Sequence, residues 1–357
     1  MKPSVQAFLV QDTITIKQAM RMLSQLGEKQ LFVIDGGGKL LGALSDGDIR
    51  KWILKEGNLE ESVRSIYNHN PKFVFDNYRM DDVKQMMLDL RIECIPVVVA
   101  DRQVIDVLVW DDVFAGHVHK HHPALDVSVV IMAGGKGTRL DPFTRVLPKP
   151  LIPVGDRPVI EIIMDKFAEY GVKNFYISLY HKARMVKSYF EEADPRYRIK
   201  FLEEKKPLGT IGGLTLAKGM LKGTFILTNC DVIIDSDYTE IIHFHKNAGY
   251  DLTLVVCMRH YQIPYGVCEL ESGGTLKLIK EKPEYDLLVN TGFYVMNEKV
   301  LDVIPADESS TILDLIAAIK LKSGRVGVFP VNEKSWIDVG QWEEYYKSIK
   351  DLQQKII

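Results

Sequence analysis

The chain has 357 residues, of which 46% are hydrophobic and 26% charged, and its formal net charge is −3. The length predicts two or three globular domains, and the slight negative charge excludes a polyanion partner bound by bulk electrostatics, such as nucleic acid. No apolar run approaches the ~20 residues needed to span a bilayer and the N-terminus carries no signal pattern, so we expect a cytoplasmic protein with no membrane partner. The scattered cysteines indicate neither a disulfide framework nor a zinc site.

The first 120 residues contain an internal repeat. Residues 19–26 and 31–34 are echoed by 83–90 and 95–98, and the same offset of 64 positions relates Asp48 to Asp112. Each copy contains helix, strand, strand and helix patterns, which is too long for a solenoid unit and predicts two tandem βαββα modules. We place the copies at about 1–57 and 58–122 and expect them to bury their sheets against each other.

The duplicated unit resembles a pair of CBS domains, through Gly-Ala-Leu-Ser-Asp-Gly-Asp-Ile at positions 42–49. The resemblance implies that Ser45 and Asp48 hold the ribose of a regulatory adenosine-type nucleotide, and a carboxylate can accept hydrogen bonds from two ribose hydroxyls. Alternatively, Asp48 caps the helix that follows it. The second copy keeps Asp112 but has Val109 in place of Ser45, so we expect one nucleotide site rather than two.

The CBS resemblance also implies a homo-oligomer, because paired modules of this kind usually associate face to face.

Four histidines precede Pro123, at positions 117, 119, 121 and 122. We interpret this cluster as a polar domain junction near 121–126 rather than as a metal-binding tract.

The second part of the chain begins with a strand, a glycine-rich turn and a basic loop. The apolar run 129–132 has no polar alternation, which is typical of a parallel strand buried on both faces. The glycines after it can bring backbone N–H groups against an anion, and Arg139 and Lys149 add charge, as a phosphate-rich ligand requires. The predicted nucleotide-binding residues of this stretch are Ala133, Gly134, Gly135, Gly137 and Thr138.

This stretch does not match the generic phosphate-binding motifs. A Walker loop would need Ser or Thr after Lys149, where Pro150 stands, and G-x-G-x-x-G would need a third glycine in place of Leu140. Gly-Gly-x-Gly-Thr-Arg-Leu followed by Leu-Pro-Lys-Pro instead resembles the signature of the sugar-1-phosphate nucleotidyltransferases. The resemblance covers residues 126 to about 351 and implies a Rossmann-like, GT-A type fold.

The pattern after the signature alternates between strands and helices. We expect strands at 174–179, 199–202 and 224–227, and helices from Pro158 to near Gly171, at 182–192, at 211–221 and at 342–354. This indicates an α/β domain over 126–357 with a doubly wound, mostly parallel sheet, whose ligands bind at the carboxyl ends of the strands.

Two carboxylates follow predicted strands in this domain. Asp231 stands just past the buried run 225–229, and Asp338 lies in Trp-Ile-Asp-Val-Gly at 336–340. Mg²⁺ is commonly held by one or two carboxylates together with substrate phosphates and waters. The family resemblance implies that Asp231 and Asp338 are its ligands; a turn or cap carboxylate is the structural alternative for each.

Segments between the two aspartates match family segments that line the sugar phosphate. Lys282 in Glu-Lys-Pro carries most weight, because a dianionic sugar phosphate must approach a polyanionic nucleotide. The expected sugar-phosphate residues are Gly266, Glu281, Lys282, Asn290 and Thr291.

The segment Glu-Glu-Lys-Lys-Pro-Leu-Gly-Thr at 203–210 bears on which nucleotide base the protein binds. It lacks the glutamine general in thymidylyl and uridylyl relatives and resembles the guanylyl branch, and a carboxylate suits guanine, whose N1–H and N2 amino groups are donors. We therefore assign Glu204, Gly209 and Thr210 to the nucleotide and favour GTP, with UTP, dTTP, CTP and ATP as alternatives. Glu203 and Glu204 could also form a solvated strand end.

The family resemblance implies a sugar-1-phosphate nucleotidyltransferase that makes a nucleotide sugar and pyrophosphate, with Mg²⁺ as cofactor. The catalytic residues expected on this basis are Arg139, Lys149, Asp231, Lys282 and Asp338. Glucosamine 1-phosphate or a similar hexose phosphate is the expected acceptor, from resemblance to CBS-linked guanylyltransferases. A uridylyl- or thymidylyltransferase of the same family is one alternative. The other is a non-catalytic regulatory protein that senses nucleotide or nucleotide sugar.

Overall fold

The computed structural model describes residues 4–26, 28–90, 92–113, 124–193, 195, 197–331 and 335–340. The chain forms two compact units, Met1–Lys120 and His121–Ile357. The histidine cluster at 117–122 and the helix predicted at 342–354 lie outside the described residues. Within the part of the chain that is described, no helix is both long and apolar enough to cross a membrane.

The first unit contains two copies of one βαββα arrangement. The first copy comprises β1 (Leu9–Gln11), α1 (Ile16–Leu26), β2 (Gln30–Ile34), β3 (Leu40–Ser45) and α2 (Asp46–Leu54). The second copy comprises β4 (Val74–Phe75), α3 (Met80–Leu90), β5 (Cys94–Val98), β6 (Val104–Val109) and α4 (Trp110–Val113). In each copy the first strand pairs parallel with the second, and the second pairs antiparallel with the third.

Equivalent backbone positions of the two copies bind each other reciprocally. The Leu40 N–H donates to the Arg102 carbonyl at 2.9 Å, and the Val104 N–H donates to the Gly38 carbonyl at 3.1 Å. Because 38 and 102, and 40 and 104, are equivalent under the 64-residue offset, the copies meet about a pseudo-two-fold axis. Both sheets also contribute side chains to one buried cluster, including Phe32, Ala43, Val98 and Val107.

The second unit is a mixed α/β domain. Its strands are β7 (Ser128–Met132), β8 (Pro153–Val154), β9 (Arg157–Pro158), β10 (Asn174–Leu179), β11 (Arg198–Glu203), β12 (Thr224–Asn229), β13 (Val232–Ile234), β14 (Leu252–Gln262), β15 (Val267–Leu270), β16 (Leu276–Lys280), β17 (Glu284–Asn297), β18 (Val326–Val331) and β19 (Trp336–Asp338). Its α-helices are α5 (Phe143–Val146), α6 (Val159–Glu169), α7 (Ala183–Ala193), α8 (Tyr238–Ala248) and α9 (Ile312–Leu321). Short 3-10 helices, including those of the first unit, are Val5–Phe8, Val63–Ser65, Thr138–Leu140, Lys149–Leu151, Gly212–Ala217 and Glu298–Asp302.

A seven-stranded sheet in the order β11-β10-β7-β12-β17-β14-β18 forms the centre of this unit. The strands β11, β10, β7 and β12 are parallel, and β17 runs antiparallel to β12 and β14. This confirms the predicted α/β fold with a largely parallel sheet. Buried clusters cover both faces of the sheet. Val129 and Val130 are consecutive residues of β7, whose side chains point to opposite faces, and they belong to different clusters.

The helix predicted at 211–221 is wrong. The chain forms only the 3-10 helix Gly212–Ala217 there. The reason is close packing: a Cβ on Gly213 would lie 2.6 Å from Glu204 Oε1 and would also collide with Ser178 Oγ. The buried apolar residues Leu214 and Ala217 therefore belong to a compact 3-10 turn rather than to an α-helix.

Candidate active site

The glycine-rich turn follows the carboxyl end of β7, in the middle of the parallel strands. It is tied to the strands on either side, because the Ala133 N–H donates to the Ser178 carbonyl at 2.9 Å and the Cys230 N–H donates to the Met132 carbonyl at 3.3 Å. Gly135 is exposed, and a Cβ added to it would meet no atom within 4 Å. Exposed backbone at this edge of a sheet can approach an anion closely.

Gly137 allows the turn to close against Lys149. Its φ is +68°, and a Cβ there would lie 2.8 Å from Thr144 Cγ2 and 3.1 Å from Lys149 Cβ. Both the left-handed backbone and the lack of space therefore require glycine. The turn, the Thr144 side chain and the stem of Lys149 consequently form one packed unit, with Thr138 and Arg139 exposed beside it.

Lys149 and Asp231 form a buried ion pair. Their side chains are 13% and 6% exposed. Burial acts to lower the pKa of the Lys149 ammonium, but the charge of Asp231 and the hydrogen bond to it outweigh burial, so that this pKa is raised. Lys149 is therefore a fixed cation at the carboxyl ends of β7 and β12.

Asp338 lies beside this ion pair, although its strand is not part of the main sheet. β19 pairs antiparallel with β13, the short strand that follows Asp231, and the Val339 N–H donates to the Asp231 carbonyl at 2.9 Å. Gly340 lies between the two carboxylates: a Cβ on it would collide with Asp231 Oδ2 and would lie 2.9 Å from Asp338 Oδ1. The two aspartates thus direct oxygen atoms at the same small region.

The two carboxylates have different charge environments. Burial raises the pKa of Asp338, and the charge of Asp231 raises it further. The Gly340 N–H, which donates to Asp338 Oδ1 at 2.8 Å, and the charges of Lys149 and Arg139 lower this pKa but do not outweigh the increase. In the described part of the chain, no Lys or Arg forms an ion pair with Asp338. A divalent cation fits this arrangement, because it binds oxygen ligands and would relieve the repulsion between Asp231 and Asp338. The described residues contain no cluster of three or more His, Cys, Asp or Glu side chains of metal-binding type.

Glu204 lies inside the domain, at the start of the second glycine loop. It is 7% exposed, its Oε1 accepts from the Ser178 hydroxyl at 2.7 Å, and its Oε2 accepts from the Leu208 N–H at 3.0 Å. The alternative that it belongs to a solvated strand end is wrong for Glu204. It holds for Glu203, which is exposed and forms an ion pair with Lys187.

The second glycine loop lies against Ser310. The Ser310 N–H donates to the Leu208 carbonyl at 2.9 Å, and a Cβ on Gly209 would lie 2.6 Å from the Ser310 carbonyl oxygen. Gly209 and Thr210 are both exposed. Their assignment to the nucleotide stays a prediction, as does base reading by Glu204.

Asn290 and Thr291 lie where β17 passes the carboxyl end of β12. The Asn290 amide donates to Tyr294 Oη at 2.8 Å. The Thr291 hydroxyl donates to the Val255 carbonyl at 2.8 Å and is buried in the sheet, 2% exposed. The Thr291 side chain thus fills a hydrogen-bonding position at a β-bulge, and binding of the sugar phosphate by Asn290 and Thr291 stays a prediction.

The remaining sugar-side residues lie at the far end of β17. Gly266 and Glu281 are neighbours, since a Cβ on Gly266 would lie 3.1 Å from Glu281 Oε2. Lys282 is exposed and adopts a positive φ of 44° at the turn into β17. None of the contacts between described residues joins these three to Asp231 or Asp338, so their role stays a prediction.

In the first unit, Ser45 and Asp48 form a capping box at the start of α2. The Asp48 N–H donates to Ser45 Oγ at 3.2 Å, and the Ser45 N–H donates to Asp48 Oδ2 at 3.0 Å. The helix-capping alternative is therefore present in the structure. Asp112 lies in α4 and is exposed. Nucleotide binding by these residues stays a prediction.

Two residues with clear roles in this geometry were not predicted from the sequence. Gly340 is required by the approach of Asp231 and Asp338, and the spacing Asp-x-Gly was the available signal. Ser178 is fully buried and supports Glu204. A serine in the otherwise apolar strand Phe-Tyr-Ile-Ser-Leu could have indicated a buried polar partner.

Residues 128–355 match the protein family described as nucleotidyl transferase, and residues 3–55 match the CBS domain. Similar proteins include a mannose-1-phosphate guanyltransferase of Aspergillus oryzae, 33% identical over 228 residues that cover 61% of this chain and 62% of that protein. A UTP–glucose-1-phosphate uridylyltransferase of Synechocystis is 27% identical over 248 residues, covering 63% of each. The match thus spans less than two thirds of these relatives.

Solved structures of similar fold include HddC from Yersinia pseudotuberculosis, with a TM-score of 0.51 and 26% identity over 63% of this chain and 99% of that one. A second structure of HddC, complexed with GMP-PN, has a TM-score of 0.50, 26% identity and the same coverage.

Proposed function

The chain belongs to the nucleotidyl transferase family, and on that basis we propose that it transfers a nucleotidyl group from a nucleoside triphosphate to a sugar 1-phosphate. The observation that carries the proposal is the cluster of Lys149, Asp231 and Asp338 beside the glycine-rich turn. It combines a fixed cation, two carboxylates and exposed backbone at one edge of the sheet.

In the proposed reaction a phosphate oxygen of the sugar 1-phosphate attacks the α-phosphorus of the nucleotide. The new P–O bond forms in line with the breaking bond, and pyrophosphate leaves with the electron pair. No covalent enzyme intermediate is needed, so the chain acts by positioning and by charge stabilisation.

Each part of the site has a proposed role in that reaction. Backbone N–H groups of the turn and Arg139 bind the triphosphate, and Lys149 stabilises charge at the α-phosphate. Lys282 binds the sugar phosphate. Asp231 and Asp338 hold a divalent cation, which we propose to be Mg²⁺ and which supplies charge neutralisation when bound.

We propose GTP as the nucleotide, with UTP or dTTP as the alternative. The mannose-1-phosphate guanyltransferase relative, the GMP-PN complex of HddC and the absence of glutamine from the segment at 203–210 support GTP. The uridylyltransferase relative supports the alternative. We propose glucosamine 1-phosphate or a similar hexose phosphate as acceptor; the relatives are named for mannose 1-phosphate and glucose 1-phosphate.

We assign residues 1–122 to a CBS pair that binds a regulatory nucleotide, and residues 126–357 to the transferase. The match to the CBS domain and the repeated architecture support this assignment. We further propose a homo-oligomer that acts in the cytoplasm, where nucleoside triphosphates are available. Regulation would require that nucleotide at the first unit change substrate affinity at the second.

A panel of GTP, UTP, dTTP, CTP and ATP against several sugar 1-phosphates, with pyrophosphate detection and Mg²⁺, tests the proposal. We expect release of pyrophosphate with GTP and a hexosamine or hexose 1-phosphate. If the protein binds nucleotide but turns over no pair of nucleoside triphosphate and sugar 1-phosphate, the proposed enzymatic activity is contradicted and a sensing protein is favoured. Activity of the full-length chain with and without added adenine and guanine nucleotides tests regulation.

A further inference from the structure

A short strap, residues 180–182, follows β10 and contacts both ends of the loop that carries the glycines. At one end the His181 N–H donates to the Gly134 carbonyl at 3.3 Å. At the other end Lys182 Nζ donates to the carbonyls of Thr144 and Arg145, at 3.0 and 2.7 Å. The strap therefore fixes the distance between the start of the glycine-rich turn and α5.

Lys182 is held in an unusual conformation for this contact. Its φ is +54°, a left-handed backbone that is unfavourable for a residue with a side chain. The ammonium caps carbonyls of the four-residue helix α5, where a cation complements the unpaired C=O groups. Among the described residues its ammonium has no carboxylate partner, so its hydrogen bonds go to the backbone of the loop.

Thr144 and Lys149, the lysine proposed to act in catalysis, pack against the same glycine. Thr144 Cγ2 and Lys149 Cβ both pack at Gly137, where even a Cβ would lie 2.8 and 3.1 Å from them. A shift of the Thr144 backbone would therefore open the packing of the turn or displace the stem of Lys149. Because Lys182 donates to this backbone from outside the turn, its hydrogen bonds oppose such a shift.

We propose that Lys182 is a positioning residue for nucleotide binding, which fixes residues 134–149 in the geometry that receives the triphosphate without itself touching the reacting atoms. This inference rests on the proposed function only in naming the bound group as a nucleotide. The Lys182 ammonium also adds positive charge next to a loop that carries Arg139, and this favours an anionic ligand. The charge of Arg145 is offset by its ion pair with Asp141 in the same loop. The Lys182 side chain thus acts on the nucleotide through the loop rather than on the sugar phosphate.

The test compares full-length Lys182→Met and Lys182→Arg with Lys187→Met, which removes a surface lysine from the adjacent helix α7. Calorimetry with GTP and Mg²⁺ gives the dissociation constant, and pyrophosphate assays give separate KM values for nucleotide and sugar phosphate. We expect Lys182→Met to weaken GTP binding and raise its KM by about tenfold or more, as misplacement of a binding group does. The KM for sugar phosphate should stay within about twofold.

Lys182→Arg should restore most of the GTP affinity, since a guanidinium can also donate to both carbonyls, and Lys187→Met should resemble the wild type. If Lys182→Met does not fold, as judged by its melting temperature, Lys182→Gln replaces it. Unchanged GTP affinity, or an equal rise in both KM values, would overturn the inference. Wild-type protein that binds GTP but releases no pyrophosphate would contradict the proposed function alone, because the binding comparison would still hold.

Discussion

Lys149 and Asp231 are paired inside the site, with Asp338 next to them across Gly340. The single ammonium thus faces a pair of carboxylates in a region with little solvent. Charges in such surroundings interact more strongly than on the surface, and removal of one partner leaves the other uncompensated. This relationship makes the contribution of each residue measurable.

Asp231→Asn should reduce turnover by roughly 10²–10³, the usual cost of removing one electrostatic group from an active site. The amide keeps the size of the side chain but loses the charge that binds Lys149 and a cation. Asp235→Asn, which breaks the Lys166 ion pair at the surface four residues away, is the matched control and should retain activity. Full activity of Asp231→Asn at saturating Mg²⁺ would reject Asp231 as a metal ligand.

Lys149→Met should increase the affinity for free Mn²⁺ by roughly tenfold while abolishing most of the turnover. Without the ammonium, Asp231 and Asp338 form an uncompensated acidic pair that attracts a divalent cation. Electron paramagnetic resonance of Mn²⁺ titrated into the protein without nucleotide measures the affinity directly. Lys166→Met serves as control, and unchanged Mn²⁺ affinity in Lys149→Met would contradict a cation site at the two aspartates.

Gly135→Ala should affect nucleotide binding without affecting the stability of the fold. The added methyl would meet no protein atom within 4 Å and the φ of Gly135 is not positive, so the melting temperature should not change. If the backbone of the turn contacts phosphate, the methyl group will obstruct the nucleotide and raise its KM by about tenfold. Gly36→Ala, equally open but in the first unit, is the control. An unchanged KM would mean that Gly135 does not approach the nucleotide.

His245 should make the second unit less stable in mild acid. It is buried against Thr253, with Nδ1 and Oγ1 2.9 Å apart. Burial lowers the pKa of His245 to about 4, although Asp251 acts in the opposite direction. Because the unfolded value is about 6.5, this stability is present above pH 6.5 and is lost as the pH falls toward 4, at up to about 1.4 kcal/mol per pH unit.

His245→Gln should therefore remove about 1.6 kcal/mol of the stability difference between pH 6.5 and pH 5. Urea unfolding at the two pH values measures it. His243→Gln, on an exposed position of the same helix, is the control and should keep the wild-type pH dependence. The same loss in wild-type and His245→Gln protein would assign the acid sensitivity to another group.

The elements that the sequence predicted well are those with strong local patterns. The strand Asn174–Leu179 was predicted with its observed bounds, and the 64-residue offset relates α1 to α3 and β2 to β5 in the structure. Buried runs and repeated motifs carry this information within a short segment. The helix at 211–221 failed because packing at Gly213, a tertiary contact, overrides the periodicity.

The site was predictable as a set of residue types but not as a set of contacts. The rule that ligands bind at the carboxyl ends of parallel strands placed the glycine turn and Asp231 together. It did not place Asp338, whose strand pairs with β13 outside the main sheet. The burial of Thr291 was equally inaccessible, because its hydrogen bond to Val255 spans 36 positions and depends on a β-bulge.

The reciprocal hydrogen bonds between the two copies of the first unit affect how that unit folds. Leu40 and Val104 each donate across the pseudo-two-fold axis, so separation of the copies breaks both hydrogen bonds. We therefore expect the two copies to open together in hydrogen exchange, so that the Leu40 and Val104 amides exchange at similar rates. A fragment ending between the copies would lose both bonds and expose the shared cluster around Phe32 and Val98.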